Sequence, residues 1–165
     1  MWPFQKKQKS VNDDPYWDYL DVDTFLCGAN IPSLTSNEFS VVKRGLAEFK
    51  GQRLHPEIAS DTFGAFSAGA LTAYALQSVR QHGSLDVSIS ALQKAMLIYP
   101  HPLVALHLAD VLNATGRTQE AQEAYKEAAQ MQKNRTPKAT DSALTVQIEA
   151  ENNLKDLFAN ISCSH

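Results

Sequence analysis

Between Leu71 and Met131 the chain reads LTAYALQSVRQHG (71–83), SLDVSISALQKAMLIYP (84–100), PLVALHLADVLNATG (102–116) and RTQEAQEAYKEAAQM (117–131). Ala105, Leu108, Ala109 and Leu112 recur at steps of three, one and three, which puts them on one face of a helix, with the small Ala109 at the closest crossing. Gly116 supplies a residue tolerant of positive φ for a short antiparallel connection. Thr118 is placed to cap the next helix, and Glu120 falls in its first turn, where the helix dipole favours an anion. Ala121, Tyr125 and Ala128 then recur at four and three, predicting a small–large–small stripe where two helices interlock. The preceding segments repeat this order with Ala75, Leu76 and Val79, then Gly83, Leu85, Ser88, Leu92, Ala95 and Pro100. Gly83 and Gly116 stand 33 residues apart, within the period of stacked helical hairpins. The reading is an all-α chain built on two helical hairpins in tandem.

These residues resemble the tetratricopeptide repeat (TPR). In that pattern a W-x2-L-G-x2-Y helix is followed by A-x3-F, then A and P, over about 34 residues. Gly116, Ala121, Tyr125 and Ala128 match one repeat, with Leu108-Ala109-x2-Leu112 in its first helix; Leu92, Ala95 and Pro100 match the end of the other. Ala105 stands where the Trp is expected, Ser88 replaces the small Ala, and Lys133 occupies the slot of the closing Pro. The match covers roughly 60 residues, a little under two repeats. It implies a TPR-like right-handed solenoid whose concave face is lined by the first helix of each pair. In size and in having a closing helix the chain is also similar to TPR-type bacterial secretion chaperones. The TPR domains that clamp acidic peptide tails are a poor match, because Ala73 and Gln77 fill their Lys and Asn slots.

Composition sets the outer bounds. A chain of 165 residues, 44% hydrophobic and 20% charged, has enough apolar material for a core of its own. A net charge of −3 argues against nucleic acid as partner, since phosphate neutralisation needs a basic face. No window approaches the roughly 18 apolar residues of a membrane span. Lys6, Lys7 and Lys9 have no apolar run behind them, so no secretory signal is read, and a cytoplasmic location is expected. Two cysteines, Cys27 and Cys163, are read as free thiols in a reducing compartment rather than as a disulfide framework. The Asn-x-Ser/Thr triplets at Asn113, Asn134 and Asn160 are read as chance matches.

The flanks divide accordingly. Residues 1–12 form an expected flexible arm, in which Trp2 and Phe4 beside the lysines suggest at most weak membrane contact. Residues 13–60 are expected to hold N-terminal helices. One starts at Asp13/Asp14 with Pro15 and runs to about Leu26 before Gly28. A second starts at Ser36, with Phe39, Val42, Leu46 and Phe49 on one face and Gly51 as its stop. The Asp21-x-Asp23 pair lacks the Gly and Glu of a calcium loop and reads as part of a solvated acidic face. The hairpin region, 61–133, opens with a long helical tract from about Asp61 to His82. Its run Gly64-Ala-Phe-Ser-Ala-Gly-Ala70 predicts close approach by a neighbouring helix. Residues 134–165 are expected to form a capping helix and tail, with Leu144, Ile148, Leu154, Leu157 and Phe158 turned toward the repeats.

Motifs for catalysis are missing. The histidines 55, 82, 101, 107 and 165 form no i, i+4 pair, and Cys163-Ser-His165 has no fixed basic neighbour. No nucleophile elbow, zinc-protease helix, phosphate loop or dinucleotide fingerprint occurs. The expectation is therefore a non-enzymatic protein–protein interaction module (adaptor, assembly factor or chaperone) with no cofactor and no metal site. Its partner would be a peptide or helix of another protein. The candidate partner-binding residues are Ala73, Gln77 and Arg80 in one hairpin and Leu106, Asp110 and Asn113 in the next. They sit on the first helices but off the packing stripes. The alternatives are a self-associating structural subunit and a small helical enzyme.

Overall fold

The computed structural model describes residues 33–46, 56–81 and 83–149. The expected first helix, the Trp2/Phe4 arm, both cysteines and the Leu154/Leu157/Phe158 stripe lie outside them. Six helices are described and no strand: α1 Ser36–Leu46, α2 Pro56–Arg80, α3 Leu85–Ile98, α4 Pro102–Ala114, α5 Thr118–Asn134, and α6 over 141–149. The all-α expectation holds for these residues.

Helix α1 starts at Ser36, as the sequence suggests, with Thr35 as its cap. The Glu38 backbone N–H donates to Thr35 Oγ1 at 3.1 Å, and the Thr35 N–H donates to Glu38 Oε1 at 2.9 Å. This is the reciprocal capping box of a Thr-x-x-Glu sequence, which satisfies two otherwise orphaned donors. Helix α2 begins at Pro56, five residues before the expected Asp61. Proline is suited to the first helical turn, where its missing N–H costs nothing. From Phe63 to Ala75 almost every side chain of α2 is buried, so this helix is the centre of the molecule rather than an amphipathic surface element. The hydroxyls of Ser67 and Thr72 donate back to Phe63 O and Ala68 O, each at 2.8 Å, which lets them sit in the core without an unsatisfied group.

Around α2 the packing is pairwise: α1 lies against α2, α2 along α3, α3 against α4, and α4 along α5. The expected stripe of α4 is present: Ala105, Ala109 and Leu112 are buried and Leu108 packs against the core. Ser88, which departs from the small alanine of the repeat pattern, is fully buried and donates its hydroxyl to Ala75 O at 2.8 Å. A residue nearly as small as alanine thus ties α3 to α2. Leu71, Leu92 and Leu144 are among the largest fully buried side chains, each contributing about 1.5–3 kcal/mol.

Gly116, at φ +81°, closes α4. The Arg117 N–H donates to Leu112 O (3.0 Å) and the Gly116 N–H to Asn113 O (3.1 Å), the two bonds of a Schellman stop. Arg117, not Thr118, is the N-cap of α5, and it contributes no side-chain cap bond. Its guanidinium instead forks onto exposed Glu120 at 2.8 and 2.6 Å. Tyr125 departs from the expected stripe. Ala121, Ala124 and Ala128 face the core, while Tyr125 is 37% exposed. Its hydroxyl donates to Asp110 on α4, closing the hairpin from the outside.

Helix α6 returns to α2. A Cβ built on Gly69 would lie 2.8 Å from Gln147 Cβ and 2.9 Å from Leu144 O. This is the close approach expected of the small-residue run, and the neighbour is the C-terminal helix. Leu144, Gln147 and Ile148 are all buried in the contact region.

Candidate partner-binding surface

Gly69, Ala73, Gln77 and Arg80 follow one another at steps of four, four and three, so they share one stripe of α2. The stripe changes character along its length. At Gly69 it is covered by α6. Ala73 is 1% exposed, so in this structure it offers no surface to a partner and is removed from the candidate set. The sequence gives no warning of this, because an alanine off the packing stripe looks identical whether or not a distant segment lies over it. Gln77 is half-buried, and Arg80, at the last turn, is exposed.

On α4, Leu106, Asp110 and Asn113 (i, i+4, i+7) are all exposed. Leu106, at 42% exposure, is a large apolar side chain left in solvent. Asp110 is tied by the Tyr125 hydroxyl, whose pKa is raised first by that bond, because ionising the phenol would place two anions together. His107, also on α4, is half-buried. Its pKa is lowered chiefly by burial; the Asp110 charge opposes this and the Arg80 charge adds to it. Arg80, His107 and Asp110 therefore share one electrostatic neighbourhood, and the structure brings the open end of the α2 stripe beside α4.

A second surface lies on the other side of the hairpins. Met96, Leu97, Pro100 and Leu108 line an open groove of about 590 Å³, with Lys94 and Glu127 among its polar edges. Leu97 is 57% exposed. Lys94 is not available as a free charge, since its Nζ donates to the buried carboxylate of Glu38 on α1.

A third cluster surrounds the segment joining α5 to α6. Arg135 forks onto Asp141 at 2.7 and 2.6 Å, and the Lys138 N–H donates to Asp141 Oδ2 at 2.9 Å. The Tyr99 hydroxyl lies 2.7 Å from both Thr140 Oγ1 and Asp141 Oδ1. The Arg135 fork, outweighing burial, holds the Asp141 carboxyl well below the usual carboxylate range. Burial raises the Tyr99 pKa. His101 completes the cluster as N-cap of α4: the Leu103 N–H donates to its Nδ1 at 3.0 Å, and its Nε2 lies 3.8 Å from Asp141 Oδ1. Thr140 and Asp141 are residue types that cap helices, which marks a helix start and says nothing about Tyr99 or Arg135.

Among the described residues no group of three or more His, Cys, Asp or Glu side chains could hold a metal ion. None of the described helices is long and apolar enough to cross a membrane. No buried side-chain polar atom among them lacks a partner. Comparison with family models, with curated proteins and with solved structures returns no match.

Proposed function

We propose that this chain is a TPR-like, non-enzymatic interaction module of the cytoplasm, holding a peptide or helix of a partner protein against the adjoining faces of α2 and α4. The observation that carries the reading is the juxtaposition on α4 of exposed Leu106 with Asp110 and Asn113, in the electrostatic neighbourhood of Arg80 at the end of the α2 stripe that holds Gln77. An apolar anchor flanked by a cation, an anion and an amide can take a short segment by burying one side chain and aligning polar groups around it. The pairwise stacking of α2 with α3 and α4 with α5 supports the repeat reading, since first helices then fall side by side.

The test is an affinity capture from the native cell. The bait is wild type or an Arg80→Glu/Asn113→Arg double variant, whose folding is checked by circular dichroism, and captured contacts are mapped by cross-linking. The reading expects a partner that cross-links to α2 and α4 and is lost with the folded variant. Capture that is unchanged by the variant overturns it.

The groove at Met96, Leu97, Pro100 and Leu108 favours a second reading, a self-associating structural subunit. Light scattering over a concentration series separates the two. Self-association abolished by Leu97→Glu supports the subunit, and a monomer at all concentrations removes it.

A further inference from the structure

We propose that α6 is a displaceable strap, occupying in cis the Gly69 end of the α2 stripe and so limiting how much of that stripe a partner can reach. The inference rests on the reading of the α2/α4 face as a binding surface and adds a regulatory contact to it.

Three observations carry it. First, α6 meets α2 at Gly69, on the same stripe that runs through Ala73 to Gln77 and Arg80. Second, its described attachment rests on few side chains. Leu144 and Ile148 are its large buried anchors, Gln147 is buried beside them, Ala143 packs half-buried against the core, and Val146 is left 57% exposed. The proposal places this segment, whose helicity rests on docking, at the low-stability end of the fold. Third, a polar clasp at its first turn holds it down. Arg135, Lys138 and Tyr99 converge on Asp141, and Tyr99 also meets Thr140. Lys138 reaches Asp61 of α2 at 3.5 Å. Such charge-assisted bonds are strong locally, yet each is broken by the loss of one partner. The arrangement is that of a helix kept on a neighbouring helix by a clasp outside the contact itself.

Releasing the clasp would uncover the Gly69 end of the stripe that continues to Gln77 and Arg80. The occupant it fits is an amphipathic helix carrying the pattern that α6 presents, a Leu and an Ile four residues apart with a Gln just before the Ile. A partner with that pattern would compete with α6, and α6 would raise the threshold for binding.

The experiment uses the full chain as wild type and as Arg135→Ala, which removes the fork on Asp141 without altering α2. Amide hydrogen exchange is followed by mass spectrometry, and a fluorescein-labelled synthetic peptide of residues 139–158 serves as the probe. The proposal expects amides of 143–149 to exchange at least about tenfold faster in Arg135→Ala while those of α3, α4 and α5 keep their rates. It also expects the peptide to bind the variant at least about tenfold more tightly than the wild type, and Gly69→Leu in the variant background to abolish that binding. If α6 exchanges in step with α3–α5 in both proteins, it is part of the cooperative core and the proposal fails. If α6 is released and the peptide still does not bind, the seat does not accept a helix in trans and the proposal fails equally. Neither readout needs the natural partner, so a negative capture experiment with Arg80→Glu/Asn113→Arg would leave both intact.

Discussion

Replacing Gly69 by alanine should destabilise this protein, against the usual direction of that substitution. In a helix interior Gly→Ala normally stabilises by about 0.5–1 kcal/mol, because alanine has less backbone freedom to lose. Here the new methyl would sit 2.8 Å from Gln147 Cβ and 2.9 Å from Leu144 O. Carbon atoms prefer a separation of about 3.5–4.0 Å, so α6 must retreat by several tenths of an ångström or more. Neither neighbour is the end of a flexible side chain: one is a backbone carbonyl and the other the first atom of its side chain. The retreat also loosens Leu144 and Ile148, both buried. Overpacking of this kind costs about 1–3 kcal/mol, and subtracting the propensity gain leaves a net loss of up to about 2.5 kcal/mol. Urea unfolding followed by far-ultraviolet circular dichroism measures the sum, and hydrogen exchange over 143–149 shows whether the loss falls on α6. In an Arg135→Ala background with α6 released, the same substitution should revert to its ordinary stabilising sign. A higher unfolding midpoint for Gly69→Ala in the otherwise wild-type chain would refute the close-contact argument.

Gly116→Ala, forced to keep φ +81°, should cost about 1–2 kcal/mol in thermal or urea unfolding; Gly116→Asn, which tolerates that region better, should cost less. Lys94→Ala leaves the buried Glu38 carboxylate without its cation and should lose about 3–5 kcal/mol. The double variant Glu38→Gln/Lys94→Met keeps the capping box and removes both charges, and its unfolding midpoint should come within about 1.5 kcal/mol of wild type. Burial, reinforced by the Arg135 charge and opposed by Asp141, lowers the His101 pKa below 6.5. The unfolded chain then takes up that proton first on acidification, so the associated stability is complete above about pH 6.5 and is lost as the pH falls below it. His101→Asn retains a cap acceptor for the Leu103 N–H and should flatten that part of the profile in urea melts between about pH 7.5 and 5.5. The part due to His107, shifted in the same direction, should remain; an unchanged profile would show that the His101 cap is not proton-sensitive.

The amino-acid sequence by itself determined what is encoded within a turn or two of helix. Apolar residues at steps of three and four marked α3, α4 and α5, and Gly116 marked the stop of α4, because a helix face and a left-handed turn each depend on a few consecutive residues. The same local signals missed where the competing information was equally local but weaker. Arg117 rather than Thr118 caps α5, and α2 starts at Pro56 because its first turn is tolerated rather than announced. Tyr125 shows the next limit: its spacing assigned it to the α5 stripe, yet three alanines fill the crossing, and the ring lies outside with its hydroxyl on Asp110.

Only the tertiary structure decided which separate segments meet. Glu38 and Lys94 are 56 residues apart, and Tyr99 and Asp141 are 42 apart; neither pair shares a periodicity that links its members. The candidate face was legible as a set of first-helix positions, but not the covering of its Gly69 end or the loss of Ala73 as an exposed site. The first depends on the path of α6, which approaches closely at Gly69 and is clasped at Asp141, and the second on what packs over the middle of α2. Periodicity records which face of a helix is buried. It carries no record of what buries it.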